Sequence, residues 1–223
     1  MNHQDALRVE ICRIGRSLFE RAYVHATAGN ISVRLDEAQG SGFLITPTDA
    51  CLGFLEPSQL AWVDARGVQR SGERASKTLA LHRHLYDAAP EARCILHTHS
   101  THLVALTLQG AWSADDIVPP LTPYYVMKVG HVPLIPYHRP GDPAVAEAVV
   151  QAITQAAQRG AQLRAVMLDR LGPVVWGPSP AQAMATLEEL EETAKLWLMC
   201  HRKPAPLTDP QIEELRRHFG ACW

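Results

Sequence analysis

The chain has no C-x-x-C pair, no strong excess of either charge and no apolar run approaching the roughly 18 residues of a membrane-spanning helix. Its five cysteines, Cys12, Cys51, Cys94, Cys200 and Cys222, are odd in number and scattered. That pattern fits a reducing cytoplasm better than a disulfide framework. A formal net charge of -2 argues against a nucleic-acid or anionic-membrane partner. There is no internal repeat, low-complexity tract or clear linker. Asp5, Arg8, Glu10 and Arg13 interrupt the first apolar residues, so no cleavable leader is expected. What remains is one domain over residues 1–223, with enough chain to bury a substantial core. Hydrophobic residues at 47% and charged residues at 20% are the balance of an ordinary soluble globular protein.

Leu7, Ile11, Ile14 and Leu18 recur at helical spacing and predict an opening amphipathic helix. Ala28-Gly29-Asn30 breaks it. Strands are predicted over 31–35 and 42–46, and Val63 and Val68 flank a hairpin turn. Ser76 is placed to cap a helix through residue 86, and a strand follows over 95–99. A short strand is expected over 132–135 and two more near 165–168 and 174–176. Asp142-Pro143, Ser179-Pro180 and Asp209-Pro210 each place a capping side chain before a proline that suits the first helical turn. Helices and strands alternate, so the fold class is α/β, a three-layer α/β/α domain around a central mixed sheet.

Within that frame, His97-Thr98-His99 concentrates the chemistry. Side chains two apart on a strand share a face, so both imidazoles can aim at one divalent metal. An unrelated pair of strand histidines is the competing reading. His82 and His84 lie on the preceding helix, His82 packed at the edge of the core and His84 facing solvent. The charged stretch 188–195 is expected to be a solvated helix face, with Leu187, Leu190 and Ala194 inward. The terminal Trp223 is a candidate to close over a neighbouring subunit's site.

Gly29-Asn30-Ile31-Ser32, Ile45-Thr46-Pro47-Thr48, Ser76-Lys77, His97-Thr98-His99 and Gly172-Pro173-Val174-Val175 together resemble the class II aldolase/adducin superfamily, across nearly the whole chain. Pro123-Tyr124-Tyr125-Val126-Met127-Lys128-Val129-Gly130, Pro140-Gly141-Asp142 and the stretch 187–195 are similar to its 3-oxo-tetronate 4-phosphate decarboxylase branch. The resemblance implies a divalent metal, usually zinc and one per subunit, a phosphorylated sugar acid as substrate, and a homotetramer. It carries phosphate binding onto Gly29, Asn30, Thr48, Asp49, Ser76 and Lys77, with Asp49 offering only its backbone N–H. His97 and His99 match two of three histidine ligands. The family's third histidine falls on Leu171, and its carboxylate before the helix falls on Thr78. His131 is the leading substitute ligand, with Asp169 behind it.

The branch's chemistry explains how Thr78 can be tolerated. Aldol cleavage needs a base to take a hydroxyl proton, whereas a β-keto carboxylate is already ionised and needs only stabilisation of the enediolate left behind. Thr78 is then a hydrogen-bonding group, and the proton donor is one of Lys77, Tyr124, Tyr125 or a metal-bound water. The competing functions are an aldolase of the L-fuculose/L-ribulose phosphate type and a non-catalytic, adducin-like member.

Overall fold

Residues 3–221 and Trp223 are described by a computed structural model. The chain divides into two compact units, one comprising residues 3–99 with Trp176–Met184, the other Ser100–Val175 with Ala185–Trp223. The strands belong to a mixed sheet, as the alternation of elements predicts.

In the first unit, α1 (His3–Glu20) buries Ile11, Ile14 and Leu18 along one stripe. Arg8, on the same helix, is also buried, and its guanidinium donates to the carbonyls of Pro57 and Leu60 at 3.0 and 2.6 Å. A buried cation is tolerated there because both Nη1 N–H groups meet carbonyls and Nη2 donates to Ser71 Oγ at 3.2 Å. The strands β1 (Asn30–Leu35), β2 (Gly42–Ile45), β3 (Ala61–Val63), β4 (Gln69–Ser71) and β5 (Cys94–His97) are ordered β4-β3-β2-β1-β5, each antiparallel to its neighbours. β3 and β4 are the predicted hairpin, with the Asp64 carboxylate accepting from Arg66 N and Val68 N at 2.9 Å to close the turn. α2 (Leu79–Ala88) starts three residues after Ser76. Ser76 is therefore not its cap. The Ser76 hydroxyl faces Thr78 Oγ1 instead, and Thr78 stands at the cap position without a capping bond.

In the second unit, α3 (Thr101–Gln109) and α4 (Pro123–Lys128) were not predicted, whereas β6 (Leu134–Ile135), α5 (Ala144–Gln158) and β7 (Ala165–Leu168) fall where expected. β8 (Gly172–Gly177), which belongs to this unit as far as Val175, runs antiparallel to β7, and β6 runs parallel to β7, which gives the sheet its mixed character. α6 (Pro180–Met199), which belongs to this unit from Ala185 on, opens with Ser179 Oγ accepting from Gln182 N. α7 (Asp209–Phe219) is capped one residue earlier than the sequence suggests, by Thr208 in a capping box with Gln211. Ile212 and Leu215 of α7 pack with Val126 of α4 and Ala221. Among the described residues, no helix is long and apolar enough to cross a membrane. Four of the cysteines are free thiols, and Cys222 lies outside the described residues.

Candidate active site

Everything expected to bind phosphate, and two of the expected metal ligands, falls in the first unit. β5 ends at His97, two residues earlier than predicted. His97 is buried and His99 half-buried, and their ring centroids are 5.1 Å apart with planes at 62°. Two imidazoles sharing one tetrahedral metal at Zn–N of about 2.0–2.1 Å have centroids about 5 Å apart. That spacing is compatible with two imidazoles sharing one divalent ion.

Asn30 lies opposite His97 in the β1–β5 register. Gly29, just before it, has φ +83, and a Cβ there would lie 2.8 Å from the His97 carbonyl oxygen and 2.8 Å from Val24 Cγ1. Only glycine lets this loop sit so close to the end of β5. Asn30 Oδ1 is buried and lacks a partner among the described residues, so a polar acceptor is held ready beside His97.

A chain of hydrogen bonds ties the remaining phosphate candidates to this strand end. Thr46 Oγ1 accepts from Ile31 N at 3.1 Å, Thr46 O accepts from Ser76 N at 3.2 Å, and Thr48 N donates to Arg74 O at 2.9 Å. The loop after β2 is thus laced to the approach to α2. Ser76 Oγ and Thr78 Oγ1 are 2.5 Å apart. Asp49 is exposed, with a positive φ of 56, and Lys77 is exposed.

One turn into α2 stands His82, which is fully buried. Its Nδ1 is 2.7 Å from Ser32 Oγ, which in turn is 2.9 Å from the Tyr86 hydroxyl. His82 Nε2 has no partner among the described residues. Burial, assisted by the repulsion of His97, lowers the His82 pKa to about 3, so the ring is neutral. Burial also lowers the His99 pKa, with His25 as the second cause. The sequence placed His82 at the core edge but did not show the Ser32–His82–Tyr86 network.

In the second unit, His131 has partners of its own. Its Nδ1 is 2.9 Å from Asp116 Oδ2, Asp116 also accepts from Val132 N, and the ring stacks on Trp223 at 4.4 Å. Trp223 thus covers His131 within its own chain. Tyr124 is 62% exposed on α4, while Tyr125 is buried with its hydroxyl unpartnered among the described residues. Leu171 is half-buried, just before β8, and Asp169 has an ion pair with Arg170 at 3.9 Å.

The stretch 188–195 corrects the expectation of a solvated face at two positions, Glu191 and Thr193, the latter fully buried. Glu191 is only 3% exposed. Its carboxylate accepts from His102 N and Leu103 N at 3.0 and 3.1 Å and faces His102 Nδ1 at 2.8 Å, so it caps α3 from a distant helix. Leu187, Leu190 and Ala194 are buried as expected.

Among the described residues, no three His, Cys, Asp or Glu side chains are already gathered to hold a metal ion. Arranged this way, the first unit brings together two neighbouring imidazoles, an acceptor without a partner among the described residues, and a set of loop amides and hydroxyls.

The Class II Aldolase and Adducin N-terminal domain family matches residues 9–198. A 3-oxo-tetronate 4-phosphate decarboxylase of Cupriavidus necator is 57% identical over 228 residues, covering 100% of both chains. One from Escherichia coli strain K12 is 40% identical over 214 residues, covering 96% of each. The crystal structure of YgbL from Escherichia coli superposes with a TM-score of 0.83 at 40% identity, covering 96% of this chain and 99% of that one. The chain belongs to the class II aldolase and adducin family.

Proposed function

We propose that this protein decarboxylates a 3-oxo-tetronate 4-phosphate to dihydroxyacetone phosphate and carbon dioxide, using a divalent metal. The observation that carries the proposal is the His97–His99 pair, 5.1 Å apart beside the Gly29–Asn30 loop, in a chain 57% identical throughout to a decarboxylase of that name. His97 and His99 would hold the metal, which supplies Lewis-acid stabilisation of the oxygen that takes up charge as carbon dioxide leaves.

The residues around it bind and orient. The amides at Gly29 and Asn30 and the hydroxyls of Thr48 and Ser76 receive the phosphate, with Asp49 contributing its backbone N–H and Lys77 its charge. Asn30 Oδ1 accepts a substrate hydroxyl. Thr78, tied to Ser76, positions that loop and carries no proton, since a threonine hydroxyl is a poor acid at neutral pH. Lys77 or Tyr124 delivers the final proton. Thr78 favours decarboxylation over aldol cleavage, because only the latter begins with removal of a proton. The proposal extends to one zinc ion per subunit and a cytoplasmic homotetramer, as the family resemblance implies.

The test is release of dihydroxyacetone phosphate from 3-oxo-tetronate 4-phosphate, read by a coupled NADH assay, first with added zinc and then with chelator. Metal-dependent release is the expected outcome. No release in either condition, from folded protein, moves the weight to the non-catalytic, adducin-like reading.

A further inference from the structure

The second unit holds a cavity of about 600 Å3, and none of its lining residues belongs to the first unit. Small-molecule sites usually occupy about 300–1,000 Å3.

The floor of the cavity comes from the end of α5. Ala152 and Ala156 lie four residues apart on one helical face, and their small side chains leave the space open. Leu163 adds an apolar wall. Trp223 forms another. Its ring stacks on His131 at 4.4 Å and tilts against Tyr125 at 5.6 Å, and Arg216 Nε donates to Trp223 O at 2.8 Å. These three contacts hold the indole in place.

Two groups are placed to take a ligand. His131 Nδ1 donates to the buried Asp116 carboxylate at 2.9 Å, and Asp116 Oδ1 also accepts from Val132 N at 3.0 Å. Asp116 thereby sets the orientation of the imidazole and keeps a proton on Nδ1. Nε2 has no partner among the described residues, so its lone pair is left to accept. Arg159, just beyond α5, is the second group. Its ion pair with Asp115 is long, at 3.7 Å, and the two side chains are 68% and 84% exposed. Such a pair contributes little, so the guanidinium can turn to a better acceptor. Its planar fork matches the oxygens of a carboxylate or a phosphate. Arg216 is not free in this way, since Trp223 O and Glu213 occupy it. The two carboxylates lining the cavity do not bar an anion. Asp116 is committed to His131 and Val132, and Asp115 is screened by solvent.

We infer that this cavity is a second binding site, for a small hydroxylated anion such as a hydroxy-carboxylate or a polyol phosphate. Arg159 takes the anionic head, and His131 Nε2 accepts from a hydroxyl. The carbon skeleton packs between Trp223 and the two alanines of α5. An anion of similar size without a hydroxyl leaves Nε2 unpaired and binds less well.

The experiment is heteronuclear NMR of the full chain, following the Trp223 indole N–H, which is assigned by its loss in Trp223→Phe. D-glycerate, glycerol 3-phosphate and propionate are titrated into the wild type, Arg159→Ala and His131→Phe, each checked for fold by circular dichroism. The expected result is a saturable shift with both hydroxylated probes, and D-glycerate binding about tenfold more tightly than propionate. Arg159→Ala should weaken both hydroxylated probes at least about tenfold, because a charge-assisted hydrogen bond is lost. His131→Phe keeps a ring against Trp223 and should abolish the preference for D-glycerate over propionate. No shift of the Trp223 resonance with any probe would overturn the inference. An undiminished shift in Arg159→Ala would overturn it too, by assigning the probes to the phosphate candidates of the first unit. A preference for D-glycerate that survives in His131→Phe would overturn the role given to His131.

Discussion

Acidification should unfold this protein partly through one histidine. His82 is fully buried, and its pKa is lowered from 6.5 to about 3, chiefly by burial and secondarily by His97. In the unfolded chain the ring regains its ordinary affinity for protons. Between pH 6.5 and about 3 the unfolded state therefore binds one proton more than the native state, and stability falls as pH falls. Above pH 6.5 both states leave the ring neutral and the contribution is flat. Each unit of pH below that value costs about 1.4 kcal/mol, so at about pH 5 the loss is about 2 kcal/mol. The slope is a one-proton slope, fixed by the count of protons rather than by any contact energy. The assay is urea unfolding of metal-free protein at steps from about pH 8 to about pH 5, for the wild type and for His82→Leu. Leucine fills a similar volume and leaves Ser32 its bond to the Tyr86 hydroxyl. The variant should lose about 2 kcal/mol less than the wild type over that interval. His99, whose pKa is also lowered, contributes in the same direction in both proteins and cancels in the comparison. Parallel pH profiles for the two proteins would refute the claim that His82 is buried in its neutral form.

Two further perturbations test the frame around the site. Glu191→Ala should cost about 2–4 kcal/mol, because it strips the acceptor from two backbone amides at the start of α3, and should lower the urea midpoint with an unchanged m-value. Gly29→Ala should cost about 1–3 kcal/mol, since it adds a strained φ and a 2.8 Å clash with the His97 carbonyl. In the same variant zinc should be held more weakly, and wild-type zinc affinity there would show that the loop does not support the site.

The elements that were legible in the sequence carried their signals locally. α6 and α7 announce themselves by a capping residue and a proline within a few positions, and α1 by the spacing of Ile11, Ile14 and Leu18. α4 carried the same kind of signal in Thr122-Pro123, where Thr122 Oγ1 accepts from Tyr125 N, but its six residues are too few for periodicity to show. α3 had no such signal, because its cap is Glu191, 88 and 89 residues away. Glu191 itself was readable by position: with Leu187, Leu190 and Ala194 it occupies spacings of three and four on one stripe. Composition argued for solvent, and geometry prevailed because the carboxylate found buried donors. The nearness of His97 and His99 follows from their two-residue spacing, although β5 ends at His97 and the two do not share a strand face. The nearness of His25 to His99 was not legible, since nothing near it in sequence marks a histidine in an exposed loop.

The departures from the family pattern are unequal in what they cost, and that inequality bears on function. Replacing a carboxylate by Thr78 removes a base. A reaction that starts by cleaving a C–H or O–H bond could not survive that loss, but a decarboxylation starts from an anion already formed. On the same resemblance, Leu171 stands where the family has a third metal histidine. A chain released from catalysis would have no need to keep the two histidines that remain. This chain leaves the base unreplaced and keeps His97 and His99 side by side. Keeping the pair without the base suits a decarboxylase, because its first step asks for uptake of charge as carbon dioxide departs and not for removal of a proton.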